Sequence, residues 1–349
     1  MKTLIRNASI GAILAGTTAG MAQADDLTPI NISYQPALYW ALPYHIASEM
    51  GWWAEVGLDP SFTTFPAGAP QIAAAAAGDW DVGGTGSVPA VLGAERYGIR
   101  TIGITNDESA GNALMAHNDV IEGLRDDPSS IAGQSILLTT NSTGDYAVRA
   151  CLEKRGVDGD EVEFVNLNQS QIISAISARQ GDIAGVWAPN TYTLQERADS
   201  DYLCTGADAG AIVPGALVVR PDYAEENPEL VARYLAVFLR GVHWARENMD
   251  EAKEMLVEFY DEGGVEISQA AVDQEFDLRP TFTLEEQLDI LARDNGMSDV
   301  DEWLAEIAAF MVSVGTMEEA PDTADFVDLT YMQMVADDAE LAAFATLSD

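Results

Sequence analysis

The stretch FVNLNQSQIISAISARQGDIAGVWAPNTY, residues 164–192, carries the pattern that decides the fold. Its isoleucines recur at helical spacing and are followed by Gly181 and Asp182. A β-rich run then ends in VWAP, residues 186–189, before polar residues take over. The pattern therefore predicts a helix, a tight turn, a short buried strand and a polar loop, in that order.

A second copy of this order lies upstream, in PQIAAAAAGDWDVGGTGSVP, residues 70–89. Here an alanine-rich helix reaches Gly78 and Asp79, a strand is predicted over 80–82, and Gly83–Gly86 is predicted as a loop. Two copies of one unit indicate an α/β protein with two lobes of similar design. Because ligands bind beyond the carboxyl ends of the strands in open α/β sheets, we expect the two loops to face a common cleft.

The charge balance is strongly acidic, with 57 Asp and Glu against 17 Lys and Arg, for a net charge of −40. Since 48% of the residues are hydrophobic, the chain has enough apolar material for folded cores and is not a disordered polyanion. Such a surface repels nucleic acid and anionic membranes, so neither is an expected partner. The pattern is typical of a solvated acidic surface.

The first 24 residues have the features of a secretory signal peptide. Lys2 and Arg6 precede a short apolar run, and Ala22-Gln23-Ala24 precedes the expected cleavage point. The apolar run is too short to span a bilayer, and there is no cysteine at the position that would receive a lipid. The sequence therefore predicts a periplasmic protein without a lipid anchor.

Cys151 and Cys204 are the only two cysteines. In an oxidising compartment they could form a disulfide or remain as two buried thiols, and the spacing does not decide between these alternatives. The absence of a Cys-x-x-Cys pair argues against redox catalysis.

The order of predicted elements assigns residues 25–116 and 215–349 to lobe one and residues 117–214 to lobe two. The run 112–116 is predicted as a strand that leads out of lobe one, with the first crossing near His117 and the return near Pro214. Two crossings are what a hinged protein needs to close on a ligand. Further elements are predicted as strands over 30–34, 61–65, 101–105 and 135–139, and as helices over 42–56, 88–97, 228–248, 250–260, 267–276, 284–293, 299–312 and 331–344.

Several segments, in order along the chain, carry a family resemblance. They are ISYQP (32–36), FPAGAPQIAAAAAGDWDVGGTGSVPAV (65–91), DPSSIAGQSILLTTNSTGDYAVRACLEKRGV (127–157), EFVNLNQSQIISAI (163–176), GDIAGVWAP (181–189) and VVRPDYAEENPELVARYL (218–235). Together they resemble the taurine-binding and aliphatic-sulfonate-binding proteins of bacterial ABC importers, in the group that also contains nitrate and thiamine-precursor binders. The resemblance implies a type II-like periplasmic binding protein fold, with a ligand cleft between two hinged lobes.

The resemblance also implies a function. The chain is expected to be a monomeric solute-binding component of an ABC importer, without cofactor, metal or catalytic residue, whose partner is an inner-membrane permease. Taurine or a related sulfonate is the first expected ligand. Nitrate, bicarbonate, a thiamine-precursor pyrimidine and other small nitrogenous solutes are alternatives on the same fold.

An enzyme of the related pyrimidine-synthase type would need an active-site histidine. His45, His117 and His243 are scattered and match no metal-ligand spacing, so they are predicted to be structural.

The helix start NSTGD, residues 141–145, is the most informative local chemistry. Unpaired backbone N–H groups at a helix N-terminus, with the hydroxyls of Ser142 and Thr143, suit an oxyanion. Simple helix capping is the alternative role. Similar helix starts are predicted at Gly68 and after Gly86, with Ser87 as N-cap.

The remaining candidates are aromatic walls and a carboxylate that could pair with an ammonium group. Packing and solvation are their ordinary alternatives. The full predicted ligand-binding set is Gln35, Tyr39, Trp40, Gly68, Gly86, Ser87, Glu108, Ser142, Thr143, Gly144, Asp145, Trp187, Asn190 and Tyr192.

Overall fold

A computed structural model describes residues 27–294 and 296–348. The predicted signal peptide, residues 1–24, lies outside the described residues. Within the described part, no helix has both the length and the apolar character needed to cross a membrane.

The described chain forms two five-stranded sheets surrounded by helices. The strands are β1 (Thr28–Tyr34), β2 (Leu58–Thr64), β3 (Val82–Gly86), β4 (Arg100–Asp107), β5 (Asn112–His117), β6 (Ser135–Leu138), β7 (Glu163–Asn166), β8 (Ile183–Trp187), β9 (Ser200–Thr205) and β10 (Pro214–Val219).

The helices of the first 210 residues are α1 (Leu38–Glu49), α2 (Trp52–Glu55), α3 (Gly68–Ala75), α4 (Ser87–Tyr97), α5 (Asn118–Asp126), α6 (Thr143–Lys154), α7 (Gln169–Ser177), α8 (Asn190–Arg197) and α9 (Gly206–Ala209). The later helices are α10 (Pro221–Glu226), α11 (Pro228–Glu247), α12 (Met249–Glu262), α13 (Gln269–Leu278), α14 (Leu284–Leu291), α15 (Asp299–Ser313), α16 (Thr330–Asp337) and α17 (Ala339–Ala345).

The two sheets have the same topology. The first has the order β2-β1-β3-β10-β4 and the second the order β7-β6-β8-β5-β9. In each, four strands run in the same direction and the fourth in the order is antiparallel to both neighbours. Strands β3 and β8, which follow the two Gly-Asp turns, occupy the same central position in their sheets. The internal repeat inferred from the sequence is therefore present in the topology.

The placement of residues 112–116 differs from the sequence-based expectation. These residues form β5, which pairs with β8 and β9 and so belongs to the second sheet, not to lobe one. The physical reason is burial: Leu114 of β5 lies in the core of the second sheet. The first crossing is therefore at residues 108–111, before β5, and not near His117. Conversely, β10 inserts into the first sheet, as expected for the returning strand.

We therefore define lobe one as residues 28–107, 214–294 and 296–348, and lobe two as residues 112–205, with connections 108–111 and 206–213 between them.

The segment Gly83–Gly86 is part of strand β3, whereas the sequence pattern predicted a loop. Glycine is needed there because the strand lies against β1: a Cβ on Gly83 would lie 2.2 Å from the carbonyl oxygen of Ser33. Ser87 is also not the N-cap that was predicted. It is the first residue of α4, Gly86 precedes the helix, and no side chain caps this end.

The first and last predicted helices also have different limits. Helix α1 begins at Leu38, so Tyr39 and Trp40 lie in its first turn, and it stops before Gly51, which has φ +73°. Residues 331–344 form two helices because the Asp338 side chain accepts hydrogen bonds from two backbone amides and starts α17.

The C-terminal helices complete the core of lobe one. Helix α11 packs against α1, and the buried hydroxyls of Tyr44 and Tyr234 lie 2.5 Å apart between these helices. Lobe two has a separate hydrophobic core on each face of its sheet. Cys151 of α6 and Cys204 of β9 form a disulfide in one of these cores, which resolves the alternative that the sequence left open.

Candidate functional site

A small cavity lies between the two lobes. Its volume is about 30 Å³. The lobes meet at its edge, where a Cβ on Gly86 would lie 2.7 Å from Cγ2 of Thr143. The lining residues are Gln35, Trp40, Ala67, Gly68, Ala69, Gly86 and Pro89 of lobe one, and Thr139, Thr140, Asn141, Ser142, Thr143 and Trp187 of lobe two. No charged side chain is among these described lining residues.

Three helices begin at this cavity. Residue Gly68 begins α3, Ser87 follows the lining residue Gly86 and begins α4, and Thr143 begins α6. The first amides of a helix have no partner within the helix and carry partial positive charge. Because proline occupies the third position of α3 and of α4, each of these two helices offers its first two amides. Three positive helix ends therefore meet at one small space.

Buried donors without a partner accompany these helix ends. Among the described residues, the Trp40 Nε1 atom and the hydroxyls of Thr85 and Ser87 have no hydrogen-bond partner. All three side chains are buried. Trp40 lines the cavity, and Thr85 and Ser87 flank the lining residue Gly86. A buried polar group without a partner costs about 1–3 kcal/mol. The concentration of such groups here therefore indicates a site where a bound polar solute supplies the missing hydrogen-bond partners.

The wall from lobe two is held by side-chain contacts. The Ser142 hydroxyl caps α6 by accepting from the Asp145 amide at 3.2 Å, and it donates to the Thr139 carbonyl at 2.7 Å. Trp187 packs against the start of α6, since a Cβ on Gly144 would lie 3.2 Å from its ring. At the rim, the Thr316 hydroxyl of lobe one donates to the Asn141 side-chain oxygen of lobe two at 2.7 Å.

The structure brings about half of the predicted site residues to the cavity. Those that line it are Gln35, Trp40, Gly68, Gly86, Ser142, Thr143 and Trp187. Those that do not line it are Tyr39, Ser87, Glu108, Gly144, Asp145, Asn190 and Tyr192.

The predicted residues outside the cavity have identifiable contacts. Tyr39 packs edge-on against Phe276, and Asp145 accepts from Arg149 at 2.8 Å. Ser87 and Asn190 begin helices α4 and α8.

Tyr192 and Glu108 belong to a buried ionic network beside the cavity. Glu275 accepts hydrogen bonds from Arg279 and from the Tyr192 and Tyr260 hydroxyls, each at 3.3 Å. Arg279 also lies 3.5 Å from Glu108.

Burial raises the pKa of Glu108 to about 7, although Arg279 and the Asn112 amide act in the opposite direction. Burial also raises the pKa of Tyr192. The Arg279 guanidinium lies 5.8 Å from the centre of the Trp40 ring. The network is therefore next to Trp40, a residue of the cavity wall.

Sequence reasoning missed the contribution of the C-terminal part to this site. Glu275 and Arg279 lie in or after α13, and Thr316 follows α15, all far along the chain from the motifs that predicted the cleft. An Arg and a Glu four residues apart are an ordinary surface pattern, so no local signal distinguished this buried pair. Thr139 and Thr140 line the cavity but were also not predicted. They directly follow strand β6, and ligands bind beyond the carboxyl ends of strands in such sheets.

The arrangement is suited to holding a small polar solute. The described residues contain no group of three potential metal ligands. Among the histidines, the His117 ring contacts the Ser200 hydroxyl at 3.1 Å, and His243 lies 3.4 Å from Glu247 on its own helix. These contacts are structural in character, and neither involves a residue that lines the cavity.

Comparison with known proteins gives several relatives. A Bacillus subtilis protein with the provisional name aliphatic sulfonates-binding protein is 25% identical over 339 residues, covering 95% of this chain and 96% of that protein. The taurine-binding periplasmic protein of Escherichia coli is 30% identical over 223 residues, covering 62% of this chain and 65% of that protein. Both names describe binding proteins, in agreement with the prediction that the chain is not an enzyme.

The fold also has solved counterparts. The periplasmic aliphatic sulphonate binding protein of Escherichia coli superposes with a TM-score of 0.71 at 15% identity, covering 88% of this chain and 99% of that one. At this identity the match establishes the fold, which is the two-lobe binding protein fold that the sequence predicted. The family model described as NMT1/THI5 like matches residues 41–252, which is more than half of the chain. The chain therefore belongs to the NMT1/THI5-like family.

Proposed function

We propose that this protein is the periplasmic binding component of an ABC importer and that it captures a small sulfonate, with taurine as the first candidate. The observation that carries the proposal is the meeting of three helix N-termini at one interlobe cavity with the Trp40 indole N–H, which has no partner in the described part of the chain. The names of the sulfonate-binding and taurine-binding relatives support the same ligand class.

The anion must be held by local dipoles and not by the overall field. With a net charge of −40, the protein repels anions at long range. Each helix N-terminus contributes about 0.3–1 kcal/mol toward an anion, and more where water is excluded. Three such ends and a neutral lining hold a sulfonate by hydrogen bonds to its oxygens, without an arginine or lysine at the described cavity wall.

Closure of the two lobes is the expected consequence of binding. Donors come from both lobes, so a solute that bridges them has higher affinity for the closed arrangement and shifts the hinge equilibrium toward it. The permease of the importer then recognises the closed form. No bond of the solute is made or broken.

A thermal-shift screen with the purified mature protein tests the proposal. Taurine, ethanesulfonate, nitrate and a thiamine-precursor pyrimidine are each added at concentrations well above the expected Kd. A ligand at 100 times its Kd stabilises the folded protein by about 2.7 kcal/mol, which raises the melting temperature measurably. We expect the sulfonates to raise it. A rise with the pyrimidine or with cationic solutes alone would contradict the proposal.

A further inference from the structure

We propose that Glu108 is a specificity-determining residue of the cleft, whose carboxylate receives the ammonium group of a zwitterionic amino-sulfonate. This inference rests on the proposed function and names the solute class more narrowly. The sulfonate is held at the helix N-termini, and the ammonium end extends toward Glu108. The chain therefore discriminates taurine from a sulfonate of similar size that lacks the amine.

The first support is the position of Glu108 beside Gly215. A Cβ on Gly215 would lie 2.1 Å from Oγ1 of Thr105, 2.6 Å from Oε1 of Glu108 and 2.8 Å from Nε1 of Trp40. Gly215 pairs directly with Gly86, which lines the cavity. Directly opposed residues of an antiparallel pair present the same face, so these polar atoms gather on the cavity side of the sheet.

The second support comes from the opposite side of the carboxylate. Asn112 donates from Nδ2 to the Glu108 carbonyl at 3.0 Å and lies 3.5 Å from Oε2 of the same residue. Asn112 pairs directly with Trp187, another cavity-lining residue, and so shares its face. Glu108 therefore lies close to both Gly215 and Asn112. Gly215 is the strand partner of Gly86 in lobe one, and Asn112 is the strand partner of Trp187 in lobe two.

The available atoms are acceptors, as an ammonium group requires. Oε1 of Glu108 and Oδ1 of Asn112 are buried and have no hydrogen-bond partner among the described residues. The Thr105 hydroxyl donates to Asn106 at 2.9 Å and keeps its lone pairs. An ammonium group has three donors and no acceptor, so oxygen atoms with free lone pairs are the partners it requires.

Charge balance in the network leaves a place for a further cation when Glu108 is ionised. Arg279 is one guanidinium between two carboxyl groups, those of Glu275 and Glu108. Glu275 accepts hydrogen bonds from Arg279 and two tyrosine hydroxyls, whereas Oε1 of Glu108 accepts none from the described residues and lies 3.5 Å from Arg279. With Glu108 ionised, the buried cluster carries a net negative charge, which is costly unless it is paired. The ammonium group of a solute supplies the missing positive charge.

The test compares taurine with ethanesulfonate, which has the same sulfonate group but no amine. Titration calorimetry is carried out on the wild-type protein, on Glu108→Gln, and on Glu49→Gln as a control for the loss of an exposed carboxylate. Loss of a charge-assisted hydrogen bond predicts a taurine affinity lower by about 10- to 100-fold in Glu108→Gln. Ethanesulfonate affinity should stay within about 2-fold, since its contacts with the helix ends are unchanged.

A pH series on the wild-type protein gives an independent readout that needs no variant. Arg279, Glu275 and Asp107 are the charged groups that act on Glu108. Its carboxyl pKa of about 7 in the solute-free protein means that more of it is ionised as pH rises from 6 to 8. We therefore expect taurine affinity to rise over this interval and ethanesulfonate affinity to stay flat.

The possible outcomes separate the two proposals. If both sulfonates bind the wild-type protein equally, or lose affinity equally in Glu108→Gln, then Glu108 has only a structural role and this inference is wrong while the proposed function stands. If neither sulfonate binds the wild-type protein, both proposals are wrong. Selective loss of taurine, with the matching pH dependence, supports the inference.

Discussion

Replacement of Gly86 by alanine should prevent full closure of the cleft. The added Cβ would lie 2.7 Å from Cγ2 of Thr143, across the boundary between the lobes. Gly86 has φ −71° and ψ 158°, a conformation open to any residue, so alanine introduces no backbone strain. The substitution therefore acts on the contact between the lobes and not on the strand itself.

The size of the effect follows from this distance. Two carbon atoms in ordinary contact are about 3.5–4.0 Å apart, so the lobes must separate by roughly 1 Å at this point. Insertion of one methyl group into a packed contact costs about 1–3 kcal/mol. Because the cost falls on the closed state, the affinity for the solute should fall by about 5- to 100-fold.

Titration calorimetry with taurine or ethanesulfonate measures the loss, and a Thr143→Ser substitution provides the rescue. Serine removes Cγ2 and keeps the hydroxyl, so the double variant Gly86→Ala with Thr143→Ser should regain most of the affinity. Gly123→Ala is a control, since a Cβ there meets no atom within 4 Å. An unchanged affinity in Gly86→Ala, or a loss that Thr143→Ser does not reverse, would refute the reasoning.

Three further substitutions test separate contacts. Ser142→Ala removes the cap of α6 and should lower the free energy of unfolding by about 1 kcal/mol in urea titrations, whereas an unchanged value would contradict the capping role. Thr316→Val removes the hydrogen bond to Asn141 and should weaken solute binding by about 2- to 10-fold in calorimetry, with the melting temperature of the solute-free protein unchanged. Despite burial, Arg293 helps to hold the pKa of Asp301 at about 2, so this pair stabilises the fold above pH 4 and is lost as pH falls to 2. The free energy of unfolding of Asp301→Asn should therefore fall less between pH 4 and pH 2 than that of the wild-type protein. The same pH dependence in both proteins would contradict a stabilising role of this pair.

The sequence predicted the repeated part of the fold well because both copies of the unit carry local signals. Gly78-Asp79 and Gly181-Asp182 each precede the central strand of a five-stranded sheet. The strand that crosses between lobes could not be assigned in the same way. An apolar run such as 112–116 is compatible with either sheet, and only its antiparallel pairing with β8 and β9 decides its lobe.

Several of the predicted site residues that line the cavity were chosen for their position at helix starts and strand ends. Gly68, Gly86 and Thr143 line the cavity because each lies at or beyond the carboxyl end of a strand. The prediction was weaker for contacts between distant segments. The pairing of Glu108 with Arg279 joins residues far apart in the chain, and the acidic composition made any single carboxylate indistinguishable from a solvated one.

The proposed binding mode offers a reason for the absence of basic side chains from the described cavity lining. An arginine at the cleft would bind a sulfonate strongly, but it would also bind the many other anions of the environment. Neutral amides fixed at helix ends recognise oxyanion geometry at short range. An ionised Glu108 would then repel solutes with a second negative charge. Selectivity of this kind depends on donors and charges placed at both ends of the solute.

The most direct test of the central claim is a crystal structure of the protein with taurine bound. We predict density for one solute molecule between the lobes, with sulfonate oxygens within hydrogen-bond distance of amides at the starts of α3, α4 or α6. Density outside the interlobe cavity, or a sulfonate that contacts none of these helix ends, would contradict the account.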